Sequence, residues 1–163
     1  MNYSVVEYED KHQQAVIDLI LPIQQKEFNV PVTIHDQPDL QTVPSYYQKN
    51  NGNFWVALYD DQVIGTIGII DFGGDQVALR KMFVHQDHRG KEKGVAQLLL
   101  DKLMDWCVQK KVKSIFLGTV EAMHAAHRFY QKNGFTKLVK TELPETFPLM
   151  RVDNKFFKCN IPQ

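Results

Sequence analysis

The chain has 163 residues, 44% of them apolar and 23% charged, and its 19 lysines and arginines balance its 19 acids. That length fits one domain with one continuous core over 1–163, and the neutral balance excludes an overall field favouring nucleic acid or membrane. No run approaches the roughly 20 apolar residues of a membrane helix, and residues 1–10 lack the basic-then-apolar pattern of a secretory leader.

Residues 3–7 are rich in β-formers and predict a first strand. Ala15, Ile17, Leu19, Ile20 and Ile23 recur at helical spacing across 11–28, with Asp10 as N-cap and a kink or break expected at Pro22. Residues 30–38 hold two prolines and predict a loop, and a short polar helix is expected over 39–49, ended by Asn50-Asn51-Gly52. The period then changes. Runs 53–59, 63–72 and 77–84 predict an antiparallel meander, turning at Asp60-Asp61-Gln62 and Gly73-Gly74-Asp75. After a polar loop over 85–93, residues 94–110 form the clearest helix, with Val95, Leu98, Leu99, Leu103, Trp106 and Cys107 on one face. A strand over 114–117, a helix over 122–133 with Gly134 just past its end, and strands over 135–139 and 155–161 complete an α+β order.

Two stretches carry chemistry. Arg89-Gly90-Lys91-Glu92-Lys93-Gly94-Val95-Ala96 follows a strand and opens a helix. The first N–H groups of a helix lack internal partners and carry partial positive charge. The small Gly94 and Ala96 would let a pyrophosphate approach that backbone. The second stretch is Phe129-Tyr130-Gln131-Lys132-Asn133-Gly134-Phe135, closing the following helix. Taken alone, the first stretch is an ordinary glycine turn with solvated lysines, and Tyr130 is a core aromatic.

Together the two stretches resemble the signatures of the GCN5-related N-acetyltransferase (GNAT) superfamily. The first signature is Arg or Gln, two residues, Gly, one residue, then Gly or Ala. Gly94 and Ala96 fit it with Lys91 in the cationic position, or with Arg89 there and two extra residues in the loop. The second is an aromatic-Tyr pair, a nearby basic residue and Gly-Phe, matched by Phe129-Tyr130, Lys132 and Gly134-Phe135. Where many relatives carry an Asn seven residues before the Tyr, this chain has Met123.

The resemblance implies a mixed, mostly antiparallel central sheet with splayed parallel strands and flanking helices, and acetyl-CoA as acetyl donor. It implies that Met82, Phe83 and Val84 receive the pantetheine arm beside the strand over 114–117. The pyrophosphate would rest on the N–H groups of 93–96, with Arg89, Gly90, Lys91, Lys93, Val95 and Lys132 around it. The amine attacks the thioester directly, and Tyr130 stands in the general-acid position. Its phenol, ordinarily ionising near 10, can protonate a departing thiolate. For the general base the candidates are Glu121 first, then Glu27 and Asp71. Glu27 and Asp39 flank the loop that forms part of the acceptor pocket in relatives.

The expected reaction is acetylation of a primary amine, preferably on a small molecule, since no charge run marks a polypeptide or nucleic-acid groove. The alternative is a non-catalytic module that holds acyl-CoA as a sensor or interaction partner. Cys107 and Cys159 lie far apart without metal-ligand spacing, so a reduced, cytoplasmic setting is expected. The pairs His85/His88 and His124/His127 have no evident third ligand, and no metal is expected. The family resemblance is compatible with a monomer or a homodimer.

Overall fold

The computed structural model describes residues 2–163. Its single sheet runs in the order β1 (Tyr3–Glu7), β2 (Asn53–Tyr59), β3 (Gln62–Gly73), β4 (Gln76–Val84), β5 (Ser114–Thr119), β7 (Lys155–Asn160) and β6 (Thr136–Leu138). Every pairing is antiparallel except β4 with β5. This is the α+β class and the mixed sheet expected from the sequence. The meander closes through two-residue turns at Asp60-Asp61 and Gly74-Asp75, all four residues at positive φ. That geometry matches the right-handed twist of the flanking strands.

Helices cover both faces. Along β2, Trp55 and Ala57 pack with α3 (Val95–Gln109) and with Tyr130 of α4 (His124–Lys132), whereas Phe54 and Val56 pack with α1 (Gln13–Pro22) and α2 (Val43–Tyr46). Alternation along a strand therefore feeds two cores, one per face. On α3 the buried stripe is Val95, Leu99, Leu100, Leu103 and Cys107; Leu98 lies off that stripe and is exposed.

Local departures have local causes. Asp10 opens a 3₁₀ turn over Asp10–His12 instead of capping α1, and Glu9 and His12 make the capping contacts. At Pro22 the helix widens into a π turn over Ile23–Glu27, because proline has no N–H to continue the α ladder. The expected helix over 39–49 is a 3₁₀ turn, Pro38–Gln41, followed by α2 alone. Asn50 turns left-handed and the chain then passes so close to itself that a Cβ on Gly52 would lie 2.2 Å from the Tyr47 carbonyl oxygen. β5 runs two residues beyond its expected end because β7 pairs with it along its full length. Among the described residues no helix is long and apolar enough to cross a membrane.

Candidate active site

β4 and β5 pair in register only from Gln76↔Ser114 to Ala78↔Phe116. Beyond that point the two parallel strands part, and the β4 backbone groups facing β5 have no sheet partner. The resulting V is a cleft of about 110 Å³ with Leu79–Phe83 on one wall and Leu117–Val120 on the other. Met123, the N-cap of α4, and Ala126 and Tyr130 within it border the cleft, and Gln37, Val152 and Asp153 lie among its remaining lining. Met82 and Phe83 thus line the V. Val84, one residue on, uses its carbonyl to accept the Arg89 Nε–H at 2.8 Å.

The signature loop leads from β4 into α3. Gly94 is the N-cap of α3, with φ +66, a conformation that favours glycine. The N–H groups of Lys93 and Gly94 both donate to the Gly90 carbonyl, at 3.2 and 3.1 Å. The expected cradle of 93–96 is therefore half engaged in its own turn. The N–H groups of Val95, Ala96 and Gln97 remain without a backbone acceptor among the described residues, as helix geometry requires. Arg89 grips the Glu27 carboxylate with both guanidinium nitrogens, one of them at 3.0 Å. Lys93 donates to the Asp87 carbonyl. By contrast, Lys91 and Lys132 are exposed and their ammonium groups face each other; proximity to Lys91 lowers the pKa of Lys132. Facing like charges make a local demand for an anion.

Tyr130 is buried, its ring against Phe135 and Phe157, and its hydroxyl has no hydrogen-bond partner among the described residues. Burial pushes its phenol above the ordinary value, so the group stays protonated at neutral pH. Its helix is fixed at both ends. His127 Nε2 meets the Val120 carbonyl at 3.0 Å. At the other end Phe135 N–H donates to Tyr130 C=O and Gly134 N–H to Gln131 C=O, the paired bonds of a Schellman cap.

The acidic candidates are not brought to the cleft. Glu121 is exposed and pairs with Lys155 at 3.8 Å, because the turn after β5 points it outward. Glu27 is held by Arg89, whose hydrogen bond depresses its pKa and disfavours proton acceptance. Asp71 accepts from the N–H groups of Asn51 and Gly73, a turn role. Asp39 is buried behind Lys81, accepting from Tyr47 Oη at 2.6 Å and lying 3.7 Å from Lys81 Nζ.

Gln37, Arg80, Lys81 and Asp153, which the sequence reading did not single out, also line the cleft. The register of β3 against β4 slips between Thr66 and Gly68, and Lys81 sits in this bulge at φ +54. A bulge turns the strand by one residue. Arg80 and Lys81, adjacent in sequence, consequently both reach partners on the α1/α2 side: Pro148 O and Gln37 Oε1. Gln37 in turn exchanges reciprocal 2.9 Å amide bonds with Gln24. Asp153 is packed against Gly118 of β5 so closely that a Cβ there would lie 2.4 Å from Asp153 Oδ2. Desolvation pushes its carboxyl up to about 6 against the opposing pull of Arg80 and Lys81. The sequence signal available for this group was Arg80-Lys81, two adjacent cations amid the apolar run of β4.

Known proteins share this fold. Residues 17–135 match the model of the acetyltransferase (GNAT) family. Over 106 residues, 64% of this chain, 33% are identical to the N-acetylaspartate synthetase of Danio rerio, of which they cover 37%. The chain thus spans little more than a third of the length of that relative. Among solved structures, a GNAT-family acetyltransferase from Staphylococcus aureus superposes with a TM-score of 0.95 at 34% identity, covering 99% of this chain and 100% of that one. An acetyltransferase from Streptococcus agalactiae gives 0.92 at 26% identity, covering 97% and 98%.

Proposed function

Since this chain belongs to the GNAT family of acetyltransferases, whose donor is acetyl-CoA, we propose that it transfers the acetyl group to a primary amine on a small molecule. The observation that carries the reading is the parting of β4 and β5 beside the protonated, unpartnered hydroxyl of Tyr130. The unpaired edge of β4 at Met82 and Phe83 suits the amide-bearing arm of the donor. The open N–H groups of Val95, Ala96 and Gln97, with Lys91 and Lys132 nearby, suit its phosphates. Arg89 supports this loop from behind through Glu27.

In this reading the amine approaches from the acceptor side and, once uncharged, attacks the thioester carbon through its nitrogen. As the carbon–sulfur bond breaks, Tyr130 hands its proton to sulfur and is restored by the proton that leaves the nitrogen. The cleft walls, Leu79, Phe83, Leu117 and Val120, exclude water from the thioester. A small acceptor accords with a narrow cleft and with a relative named for N-acetylaspartate.

The test is thermal stability with acetyl-CoA, CoA, ATP and NADP at matched concentration, followed by thiol release with an amine panel. At a hundredfold over its dissociation constant a ligand adds about 2.7 kcal/mol, a rise of roughly 5 °C or more in a domain of this size. Acetyl-CoA raises the midpoint and NADP leaves it unmoved. Tyr130→Phe keeps acetyl-CoA binding but lowers kcat by about 10²-fold or more. An unchanged kcat and pH profile in that variant removes Tyr130 from the acid role.

A further inference from the structure

Arg80 and Asp153 face the same cleft with opposite charge. Arg80 is the charge that acts most strongly on Asp153, followed by Lys81. Yet no carboxylate lies within 4.0 Å of the Arg80 guanidinium among the described residues, and the one protein acceptor it meets is the carbonyl of Pro148. Lys81, beside it, is already neutralised by Asp39 and bound to Gln37. Arg80 therefore presents the one cation of this pair whose charge is unmatched. Asp153, half-buried, accepts no side-chain hydrogen bond among the described residues. Two opposite charges that face a shared cleft without touching leave room for a ligand carrying the mirror-image pair.

We propose that the acceptor is an amine that also carries a carboxylate, an amino acid or close analogue, with Arg80 holding the carboxylate and Asp153 meeting the ammonium. This rests on the acetyl-transfer reading above and assigns the acceptor half of the same site. Arg80 offers planar paired N–H donors that match a carboxylate. Asp153, poised by burial, removes one proton from the ammonium. The freed nitrogen then forms the amide bond as the carbon–sulfur bond breaks. Tyr130 supplies the proton to sulfur, the second nitrogen proton restores Tyr130 through solvent, and one net proton leaves from Asp153. Arg80 faces this side of the sheet by ordinary alternation from Ala78, the bulge keeps Lys81 beside it, and the left-handed non-glycine backbone at Lys81 marks a conformation the surrounding structure maintains.

The test is a matched panel on the full chain. Common L-amino acids and short ω-amino acids are each compared with their carboxamide and decarboxylated amine, scored by thiol release with acetyl-CoA. The acid form is expected to exceed its neutral partners in kcat/KM by roughly tenfold to a hundredfold. Arg80→Gln brings that ratio towards one by raising KM for the acid, while acetyl-CoA binding by calorimetry persists. Carboxamides used as well as acids, or activity confined to polypeptide lysines, overturn the proposal. Acetyl-CoA binding without acetylation of any amino acid overturns it too and leaves the donor assignment standing. Failure to bind acetyl-CoA overturns both. Should Arg80→Gln not fold, the panel on the unaltered protein still decides.

Discussion

At Asp153 the surroundings alone change what a common carboxyl does. Desolvation raises it to about 6, and Arg80 and Lys81 on β4 oppose that shift, as does the backbone at Met150; Gly118 brings β5 close without adding a titratable group. The folded protein thus holds a proton there that the unfolded chain has released between about pH 4 and 6. Stability from this group is present at the acid end and is lost as pH rises through about 6. Asp153→Asn is expected to stabilise the free protein at pH 7 by about 1–3 kcal/mol and to flatten the profile over that window. Urea denaturation at several pH values measures this. In activity the proposed role gives the opposite sign: a base must be ionised, so kcat/KM is expected to rise through about pH 6, and the Asn variant to lose that limb. A variant that keeps the limb assigns the proton to another group.

Among the elements, the loop before α3 and the bulge in β4 have divided roles. The loop holds Gly94 at positive φ, and a Cβ there would meet little, the nearest atom being Lys91 O at 3.9 Å. Gly94→Trp therefore costs stability mainly through the left-handed backbone, about 1–2 kcal/mol. Its ring would stand before the open N–H groups of α3. Calorimetry is expected to show loss of acetyl-CoA binding in a protein that still melts cooperatively, and normal affinity would move the phosphate site elsewhere. The bulge shapes the side proposed for the acceptor. Without the slip between Thr66 and Gly68, Arg80 and Lys81 would alternate across the sheet, and one of them would enter the core beneath α3.

Across the molecule, positive and negative charges balance, so no global field guides an anionic donor. Any electrostatic contribution to donor binding is local, at the exposed Lys91 and Lys132. Raising salt from about 0.05 to 0.5 M should weaken acetyl-CoA binding several-fold, because exposed charges are screened over about 10 Å or less. The double variant Lys91→Gln/Lys132→Gln should bind more weakly at low salt and lose most of that dependence. Equal salt slopes in both proteins would take these lysines out of the donor site.

The loop before α3 and the end of α4, to which the proposed function assigns the donor, were legible in the sequence because their determinants are local. A glycine that permits a left-handed turn, the open N–H groups of a helix start and the Gly-Phe helix end each depend on a few adjacent residues. The meander and the long helix were legible for the same reason, as periods of two and of 3.6. What only the tertiary structure decided is the grouping of residues proposed to receive the acceptor. Gln37, Arg80, Lys81 and Asp153 come from a loop, a bulged strand and a C-terminal turn, and no spacing in the chain brings them together. The insertion of β7 between β5 and β6 and the outward turn of Glu121 were equally hidden. Burial and the nearest opposing charge set the chemistry of an ionisable side chain, and both are properties of what packs around it in space.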